Sequence, residues 1–314
     1  MAQSASVCVA YAARALTLAV CQTGPVQRAA ARGETVDRLI ALLETAAAMG
    51  ADLAVFPAMA LTTFFPRWVL TEDEIAAFYE AAMPGPETAR LFAAAARLRC
   101  GFVLGFCEAV AGGRFNTVVL VGPDGAEIGR HRKVHVPGSA EPQPGVTTHL
   151  ERRYFAPGNL GFPVYRFQGV RVGMAICNDR RWPETYRMLM LNGAEVAAIG
   201  YNTPLMLGEA PEAMHLRMLH NHLPMQAGAY QNTLWVAASA KAGDEDGQAL
   251  IGGSCIIAPT GEIVALATGL GDTVMVHRAD LDLIAACRRV NFDFAAYRRP
   301  DCYRAITDRT GPVD

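Results

Sequence analysis

Short apolar runs and longer amphipathic stretches alternate along the chain, and this pattern predicts alternating strands and helices. Apolar runs bounded by turn residues are typical of buried strands, whereas apolar residues spaced three to four apart are typical of helices. Strands are predicted at 16–22, 52–56, 102–109, 115–121, 127–133, 170–179 and 195–202, with four more in segments 233–239, 252–259, 262–268 and 273–281. Helices are predicted at 35–50, 86–101, 183–194, about 211–231 and 282–290, and 134–162 is predicted to be loop.

The order of these elements favours an α/β layered sandwich. No glycine-rich dinucleotide fingerprint follows the first strand, so a Rossmann domain is not expected. The chain has 314 residues and no internal repeat or linker, which favours one domain. We predict an N-terminal extension over 1–15, poorly ordered, and a single domain with a C-terminal tail over 16–314.

Composition narrows the function classes. Hydrophobic residues make up 52% and charged residues 18% of the chain, and the net charge is −2. Neither a nucleic-acid nor a membrane partner is expected from this balance. The eight cysteines form no C-x-x-C pair, and the N-terminus lacks the pattern of a secretory signal, so we expect reduced thiols and a cytoplasmic protein.

Cys177 is the first candidate for chemistry. It ends the apolar run 172–176 and is followed at once by the polar segment NDRRWPE. A strand that stops at a cysteine and turns into a helix resembles a nucleophile elbow, in which backbone N–H groups can form an oxyanion hole. The alternative, a buried core cysteine, is preferred for Cys100, Cys107 and Cys255, which have no polar neighbourhood.

Lys133 and Glu151 are weaker candidates when taken alone. Lys133 ends a predicted strand in GRHRKVHVPG, where a solvated lysine is the ordinary interpretation. Glu151 lies in HLERRYFAPG, where an ion-pairing carboxylate is equally ordinary. The seven histidines show no metal-ligand spacing, since HNH at 220–222 places its two rings on different helix faces. Neither a metal nor a cofactor is expected.

Four strings taken together are specific: KVHVPG, HLERRYFAPG, CNDRRWPE and GYNTP. In this order and spacing they resemble the nitrilase, or carbon–nitrogen hydrolase, superfamily, and within it the N-carbamoyl-D-amino-acid amidohydrolases. The resemblance runs from about Leu16 to about Tyr303 and includes ALTTFFPRW, MQAGAYQN and SCIIAPTGEIVA. It implies a four-layer αββα sandwich, hydrolysis of N-carbamoyl-D-amino acids to amino acid, carbon dioxide and ammonia, and a homo-oligomer (dimer or tetramer).

The resemblance also implies a Glu–Lys–Cys catalytic set. The cysteine matches Cys177, the lysine matches Lys133, and a supporting glutamate matches Glu151. The first glutamate follows the proline of the FP element, and this chain has Ala58 there, with no Glu or Asp between Leu53 and Val69. The resemblance therefore implies that the general base is missing and that catalysis is impaired.

The chemistry explains this choice of residue types. A thiolate attacks the poorly electrophilic ureido carbon only if the oxyanion is stabilised and the leaving nitrogen is protonated. The resemblance gives the oxyanion to Lys133 and the Asn178 N–H, and the proton transfers to the glutamate that Ala58 replaces. Loss of a general base costs about 10²–10⁴ in rate.

Substrate contacts are expected from residues around Cys177. Arg180 and Arg181 suit a carboxylate near the scissile bond, although one or both could form structural ion pairs, for example with Glu184. The remaining predicted contacts follow from the motif match and are Asn178, Asn202, Thr203, His135 and His149; for each histidine a purely structural role is an equal alternative.

Several alternatives stay open from the sequence. Ala58 could be an engineered substitution, which we favour because the other matched residues are intact, a mark of a natural non-catalytic ligand-binding member, or a platform on which water partly replaces the base. The substrate could also be a β-ureido acid or a short carboxylated amide.

Overall fold

A computed structural model describes residues 14–144, 148–205 and 214–312 of the chain. Its strands are β1 Ala15–Gln22, β2 Leu53–Val55, β3 Gly101–Val110, β4 Gly113–Val121, β5 Glu127–Arg132, β6 Val164–Phe167, β7 Val170–Ile176, β8 Val196–Tyr201, β9 Trp235–Ala240, β10 Ala242–Glu245, β11 Gln248–Ile251, β12 Cys255–Ile257, β13 Ile263–Leu266 and β14 Thr273–Asp280. Its α-helices are α1 Arg32–Ala48, α2 Glu72–Ala76, α3 Ala89–Leu98, α4 Glu151–Tyr154, α5 Pro183–Leu191, α6 Arg217–Asn232, α7 Asp282–Val290, α8 Phe294–Tyr297 and α9 Arg304–Asp308.

The strands form two six-stranded sheets and one separate hairpin. The first sheet has the order β14-β1-β2-β3-β4-β5, the second has the order β13-β12-β9-β8-β7-β6, and β10 pairs with β11. The central pairs β1–β2, β2–β3, β7–β8 and β8–β9 are parallel, and the flanking pairs are antiparallel. Each sheet thus has a parallel centre whose strands all end at the same edge.

Side-chain alternation explains the four layers. On β1, Leu16, Leu18 and Val20 pack against the other sheet, whereas Ala19 and Cys21 pack under α1 and α3. The second sheet behaves in the same way: Met174 and Ile176 face the first sheet, and the opposite face packs under α5 and α6. The predicted αββα sandwich is confirmed.

Several element boundaries differ from the sequence prediction. The helix predicted over 86–101 is α3, which begins only at Ala89, and Thr88 makes a turn with Gly85 instead. The helix predicted at about 211–231 is a short 3₁₀ turn, Met214–Leu216, followed by α6; residues 206–213 lie outside the described ranges. The predicted loop 134–162 contains α4, and the hairpin β10–β11 was not predicted.

The predicted N-terminal extension is shorter than 1–15. Ala15 already belongs to β1, and Arg14 forms an ion pair with Glu195 at 2.8 Å. The Arg14 carbonyl also accepts a hydrogen bond from the Leu281 N–H, so these two residues are part of the folded domain. The rest of the predicted extension, residues 1–13, lies outside the described residues.

The backbone of the segment after β2 packs closely against both sheets. A Cβ at Gly105 of β3 would lie 2.5 Å from the Ala58 Cα, and a Cβ at Gly200 of β8 would lie 2.6 Å from the Ala58 N. Both positions therefore need glycine, because any side chain would collide with backbone. Two glycines, one in each sheet, hold residue 58 at the junction of the layers.

In the described ranges no helix is long and apolar enough to cross a membrane.

Candidate active site

Four of the predicted site residues follow directly after strand ends. Cys177 follows β7, Asn202 follows β8, Lys133 follows β5, and Ala58 lies just beyond β2. The Cys177 Sγ donates to the Asn202 carbonyl at 3.4 Å, and the Asn202 side-chain Nδ2 donates to the Ala58 carbonyl at 3.0 Å. The carboxyl ends of the strands of both sheets therefore meet at Cys177, the usual place for a site in an α/β fold.

Cys177 has a strained backbone. Its φ is +47°, in the left-handed region that residues other than glycine rarely adopt, and a 3₁₀ turn, Cys177–Arg181, follows at once. The Arg180 guanidinium donates to the Cys177 carbonyl at 2.7 Å, and this hydrogen bond stabilises the turn. The predicted elbow is present: the thiol is lifted from the strand and is only partly buried.

Lys133 and Glu151 form a buried ion pair beside Cys177. Both side chains are 1% exposed, the Lys133 Nζ donates to Glu151, and the His149 Nε2 contacts the other Glu151 oxygen at 2.9 Å. Burial alone would lower the pKa of Lys133, but Glu151 and Cys177 outweigh it and raise that pKa. Burial alone would raise the pKa of Glu151, but Lys133 and His149 outweigh it and hold the pKa at about 2. An ammonium is thus kept next to the thiol.

A small cavity lies beside Glu151 and Cys177. It is lined by Phe64, Thr148, His149, Glu151, Cys177, Asn202, Pro204, Gln248 and Leu250. Four of these residues were predicted as site residues from the motifs. The unpredicted hairpin β10–β11 supplies Gln248 and Leu250, and Phe64 stacks edge-to-face on His149 at 5.2 Å. Sequence reasoning missed these three residues because only the tertiary fold brings them to Cys177.

Arg180 and Arg181 are placed differently from each other. Arg180 is 1% exposed, and its guanidinium donates to Thr203 at 2.6 Å and Asn221 at 2.7 Å besides the Cys177 carbonyl. It makes no ion pair with Glu184 among the described contacts; it stacks over the Tyr201 ring at 4.2 Å. Arg181 is only partly buried. Arg180 therefore supports the cavity from within the protein, together with Thr203, and its predicted contact with substrate stays a prediction.

His135 and Asn178 border a second, more open cavity. The Asn178 Nδ2 donates to the His135 carbonyl at 3.2 Å, and the His135 ring stacks on Trp182 at 4.8 Å. The structure thus brings Cys177, Lys133, Glu151, His149 and Asn202 together and sets His135 and the Asn178 side chain on the neighbouring surface.

Ala58 is 2% exposed and contributes only a methyl group to the junction between the sheets. Among the described residues, the buried Asn202 Oδ1 has no hydrogen-bond partner. The amide nitrogen of the same side chain donates to the Ala58 carbonyl, so Asn202 connects residue 58 with the Cys177 cavity. That a glutamate belongs at position 58 stays a prediction from the resemblance.

The other cysteines fit the buried interpretation. Cys100 and Cys255 are both about 1% exposed or less, and burial raises the pKa of each to about 12. Cys107 is equally buried and its pKa is raised for the same reason. All cysteines within the described ranges are free thiols, and in those ranges no group of three His, Cys, Asp or Glu side chains is arranged to hold a metal ion.

Comparison with known proteins places the chain in a family. The profile of the carbon-nitrogen hydrolase family matches residues 17–289. An N-carbamoylputrescine amidase of Arabidopsis thaliana is 30% identical, over 86% of this chain and 89% of that protein. A nitrilase of Pyrococcus abyssi is also 30% identical, over 80% of this chain and 84% of its own length.

The fold agrees with solved structures. A carbon-nitrogen hydrolase from Helicobacter pylori G27 superposes with a TM-score of 0.81 and 21% identity, covering 94% of this chain and 99% of that chain. These comparisons support an amidase-type hydrolase; the finer resemblance to N-carbamoyl-D-amino-acid amidohydrolases stays a prediction. The chain belongs to the carbon–nitrogen hydrolase family.

Proposed function

We propose that this protein binds N-carbamoyl-D-amino acids in the Cys177 cavity and hydrolyses them slowly, because Ala58 stands where the family's general base is expected. The observation that carries the proposal is that Cys177 and Glu151 line one cavity, and that the buried Lys133 pairs with Glu151 and interacts electrostatically with Cys177. A thiol, a fixed ammonium and a supporting carboxylate are the groups that attack on a ureido carbonyl requires.

The reaction follows from this arrangement. The Cys177 thiolate attacks the ureido carbon, and the Lys133 ammonium with the Asn178 N–H stabilises the oxyanion. Collapse of this intermediate expels one of the two nitrogens, as ammonia or as the amino acid, which must gain a proton, and leaves an S-carbamoyl thioester on Cys177. Water then cleaves this thioester to the free thiol and a carbamate, which decomposes to carbon dioxide and the remaining nitrogen product. A methyl group at position 58 can neither carry that proton nor activate the water, so both steps are slow.

We assign the substrate carboxylate to Arg181, because this residue ends the turn that begins at Cys177 and is partly exposed. The Arg180 guanidinium is buried and donates to the Cys177 carbonyl, Thr203 and Asn221. We expect Arg181→Met to raise KM for a carbamoyl amino acid at least about 10-fold, the effect of one lost charge-assisted hydrogen bond. Arg181→Lys keeps the charge without the paired donors and should lie between parent and Arg181→Met.

The decisive experiment restores the carboxylate. Ala58→Glu should raise turnover of an N-carbamoyl-D-amino acid by about 10²–10⁴, whereas Ala58→Gln, of equal size but without a base, should not. The same side chain is tested as the D and L carbamoyl amino acid, beside a β-ureido acid, N-carbamoylputrescine, a short uncharged amide and a nitrile.

The outcomes separate the alternatives. Preference for the uncharged amide or nitrile would refute the substrate class, and preference for N-carbamoylputrescine would favour the chemistry named for the plant relative. If both position-58 variants bind ligand without turnover, the protein is a non-catalytic binding member of the family. Slow turnover by the parent chain, abolished by Cys177→Ser, would favour water as a partial substitute for the base. The homo-oligomer stays a prediction, to be checked by sedimentation.

A further inference from the structure

Asp179 lies two residues after Cys177, and both of its carboxylate oxygens have hydrogen-bond partners. It is fully buried, and each of its oxygens accepts one backbone and one imidazole hydrogen bond. Oδ1 accepts from the His135 N–H at 2.8 Å and faces His135 Nδ1 at 2.9 Å. Oδ2 accepts from the Ile176 N–H at 3.1 Å and faces His131 Nε2 at 3.2 Å. No oxygen of Asp179 is left to bind anything else.

The two histidines lie on either side of Lys133 in the sequence. His131 is the second-last residue of β5, and His135 follows Lys133 in the next loop. The Ile176 N–H belongs to the residue immediately before Cys177. Asp179 therefore makes hydrogen bonds to both sides of the lysine segment and to the start of the cysteine turn. Together with the Asn178–His135 hydrogen bond, it links the two segments directly.

The charges show why this link matters. Among the described residues, the buried Nδ1 of His131 has no hydrogen-bond partner, so the contact of its Nε2 with Asp179 is the one that the ring nitrogens make. The pKa of Asp179 is lowered, because burial alone would raise it but His131 and His135 outweigh burial, and Asp179 therefore keeps its negative charge. The charged groups near this cluster are Lys133, Glu151 and Arg180, so the Asp179 carboxylate is also part of the field that keeps Lys133 protonated.

We infer that Asp179, held by His131 and His135, is a positioning residue that fixes the Lys133 ammonium relative to the Cys177 thiol. Its effect on the reaction passes through these two residues, and it does not touch substrate. A displacement of about 1 Å at a reacting group can cost about 100-fold in rate. The four hydrogen bonds that Asp179 makes with His131, His135 and the Ile176 N–H, called the clamp below, are therefore expected to affect the rate. The inference rests on the proposed function only in taking Cys177 as the reacting thiol.

The main test removes one hydrogen bond to Asp179 and leaves the Asp179 carboxylate in place. His131→Phe keeps the ring that stacks near Phe162 and removes the donor to Asp179, whereas His131→Gln keeps a donor where Nε2 stood. In the parent chain, the rate of Cys177 alkylation by iodoacetamide is followed against pH by mass spectrometry. A displaced Lys133 supports the thiolate less, so His131→Phe should move the midpoint upward by about one pH unit, and His131→Gln should leave it in place.

A remote control and a second variant complete the test. His277→Phe, in β14 beside Trp235, removes a histidine far from the clamp and should leave the profile unchanged. Asp179→Asn places an NH₂ against a backbone N–H, so it should disturb the clamp more than His131→Phe. In the Ala58→Glu form, both clamp variants should lower kcat about 10-fold with KM within about threefold.

Each outcome decides the inference. Loss of the Asp179 charge alone would favour the thiolate and lower the midpoint, so an upward shift in His131→Phe that is absent in the equally uncharged His131→Gln supports positioning. An unchanged midpoint in folded His131→Phe and a merely lowered one in Asp179→Asn would overturn it. Failure of both variants to fold, with His277→Phe intact, would make the cluster a folding determinant and overturn it as well. Because alkylation needs no substrate, the test remains informative even if Ala58→Glu shows no turnover.

Discussion

Two buried lysine–glutamate pairs occupy equivalent places in this fold and do different things. Lys133 follows the end of β5 and pairs with Glu151; Lys241 follows the end of β9 and pairs with Glu245 at 2.6 Å. All four side chains are at most 1% exposed. By residue type, position after a strand and burial, the two pairs could not be told apart.

Their surroundings separate them. Lys241 also donates to the Thr62 carbonyl at 2.6 Å, and Glu245 also binds Arg67 at 3.0 Å and the Phe64 N–H at 2.8 Å. This pair is closed on all sides and ties the 62–67 loop to β10. Burial lowers the pKa of Lys241 although Glu245 opposes it. In the other pair, Glu151 lines the cavity beside Cys177, and the pKa of Lys133 is raised.

The cysteines near the two lysines also differ. Cys177 lies in the field of Lys133 and opens onto the cavity, while Cys107 lies in the field of Lys241 and is sealed in the core with a raised pKa. A lysine near a cysteine is therefore not enough for reactivity. A buried ion pair contributes to chemistry when it borders a space that a substrate can enter, and it otherwise serves to hold loops together.

Glu245→Gln should give the largest effect, on stability. The substitution leaves Lys241 and Arg67 facing each other in the interior with one carboxylate missing, and breaking a buried pair costs about 3–5 kcal/mol. Urea unfolding at neutral pH measures this loss. A loss below about 1 kcal/mol would mean that the pair does not hold the 62–67 loop and that the contrast is mistaken.

Lys133→Met should lower the rate in addition to any loss of stability from the broken pair. In the Ala58→Glu form, the missing oxyanion donor should lower kcat about 10²–10³-fold, equivalent to about 2.7–4 kcal/mol. Steady-state kinetics and urea unfolding are measured on the same preparation. If this variant lost stability as Glu245→Gln does while keeping its rate, Lys133 would be a second structural lysine.

Acid should weaken the protein partly through Glu151. The pKa of Glu151 is about 2 in the folded protein, below its value in the unfolded chain, so its contribution is complete above about pH 5. That contribution, about 2–3 kcal/mol, is lost as pH falls towards 2. Urea unfolding at pH 7, 5, 4 and 3 should show a shallower acid slope for Glu151→Gln than for the parent. Parallel slopes would contradict the lowered pKa.

Glu44→Gln should have the smallest effect. Its carboxylate pairs with Arg97 between α1 and α3 at 2.6 Å, but the two side chains are 48% and 58% exposed. Exposed pairs contribute about 0–1 kcal/mol, less at high salt, so the free energy of unfolding should change by about 0.5 kcal/mol or less. A change as large as that for Glu245→Gln would remove burial as the explanation for the first prediction.

Much of the fold was predictable because local pattern and tertiary structure agree. The run at 170–179 is apolar on both faces, as expected for a central parallel strand, and it ends as β7 just before Cys177. The helix at 282–290 has the bounds of α7. The start of α3 was misjudged because Thr88 bonds to Gly85 and holds the preceding residues in a turn, which periodicity does not reveal.

The site was predictable in its residue types but not in its geometry. Motifs named Lys133 and Glu151, yet only the fold shows that they form one buried pair, 18 residues apart in sequence. Asp179 was overlooked because a carboxylate after a strand is ordinary in a turn, and its partner His131 lies 48 residues away. The motif predicts a substrate contact for Arg180, and the sequence does not show that its guanidinium also donates to the Cys177 carbonyl, Thr203 and Asn221.

Position 58 allows side chains of different length to be compared on one backbone. The Ala58 backbone packs closely against Gly105 and Gly200 of the two sheets, so we expect its Cα to keep its place when the side chain is changed. A series of Ala, Asp, Asn, Glu and Gln at 58 then varies reach and charge while the scaffold stays constant. Turnover and Cys177 alkylation measured across this series would show whether a carboxylate at position 58 acts on the thiol, and at which side-chain length.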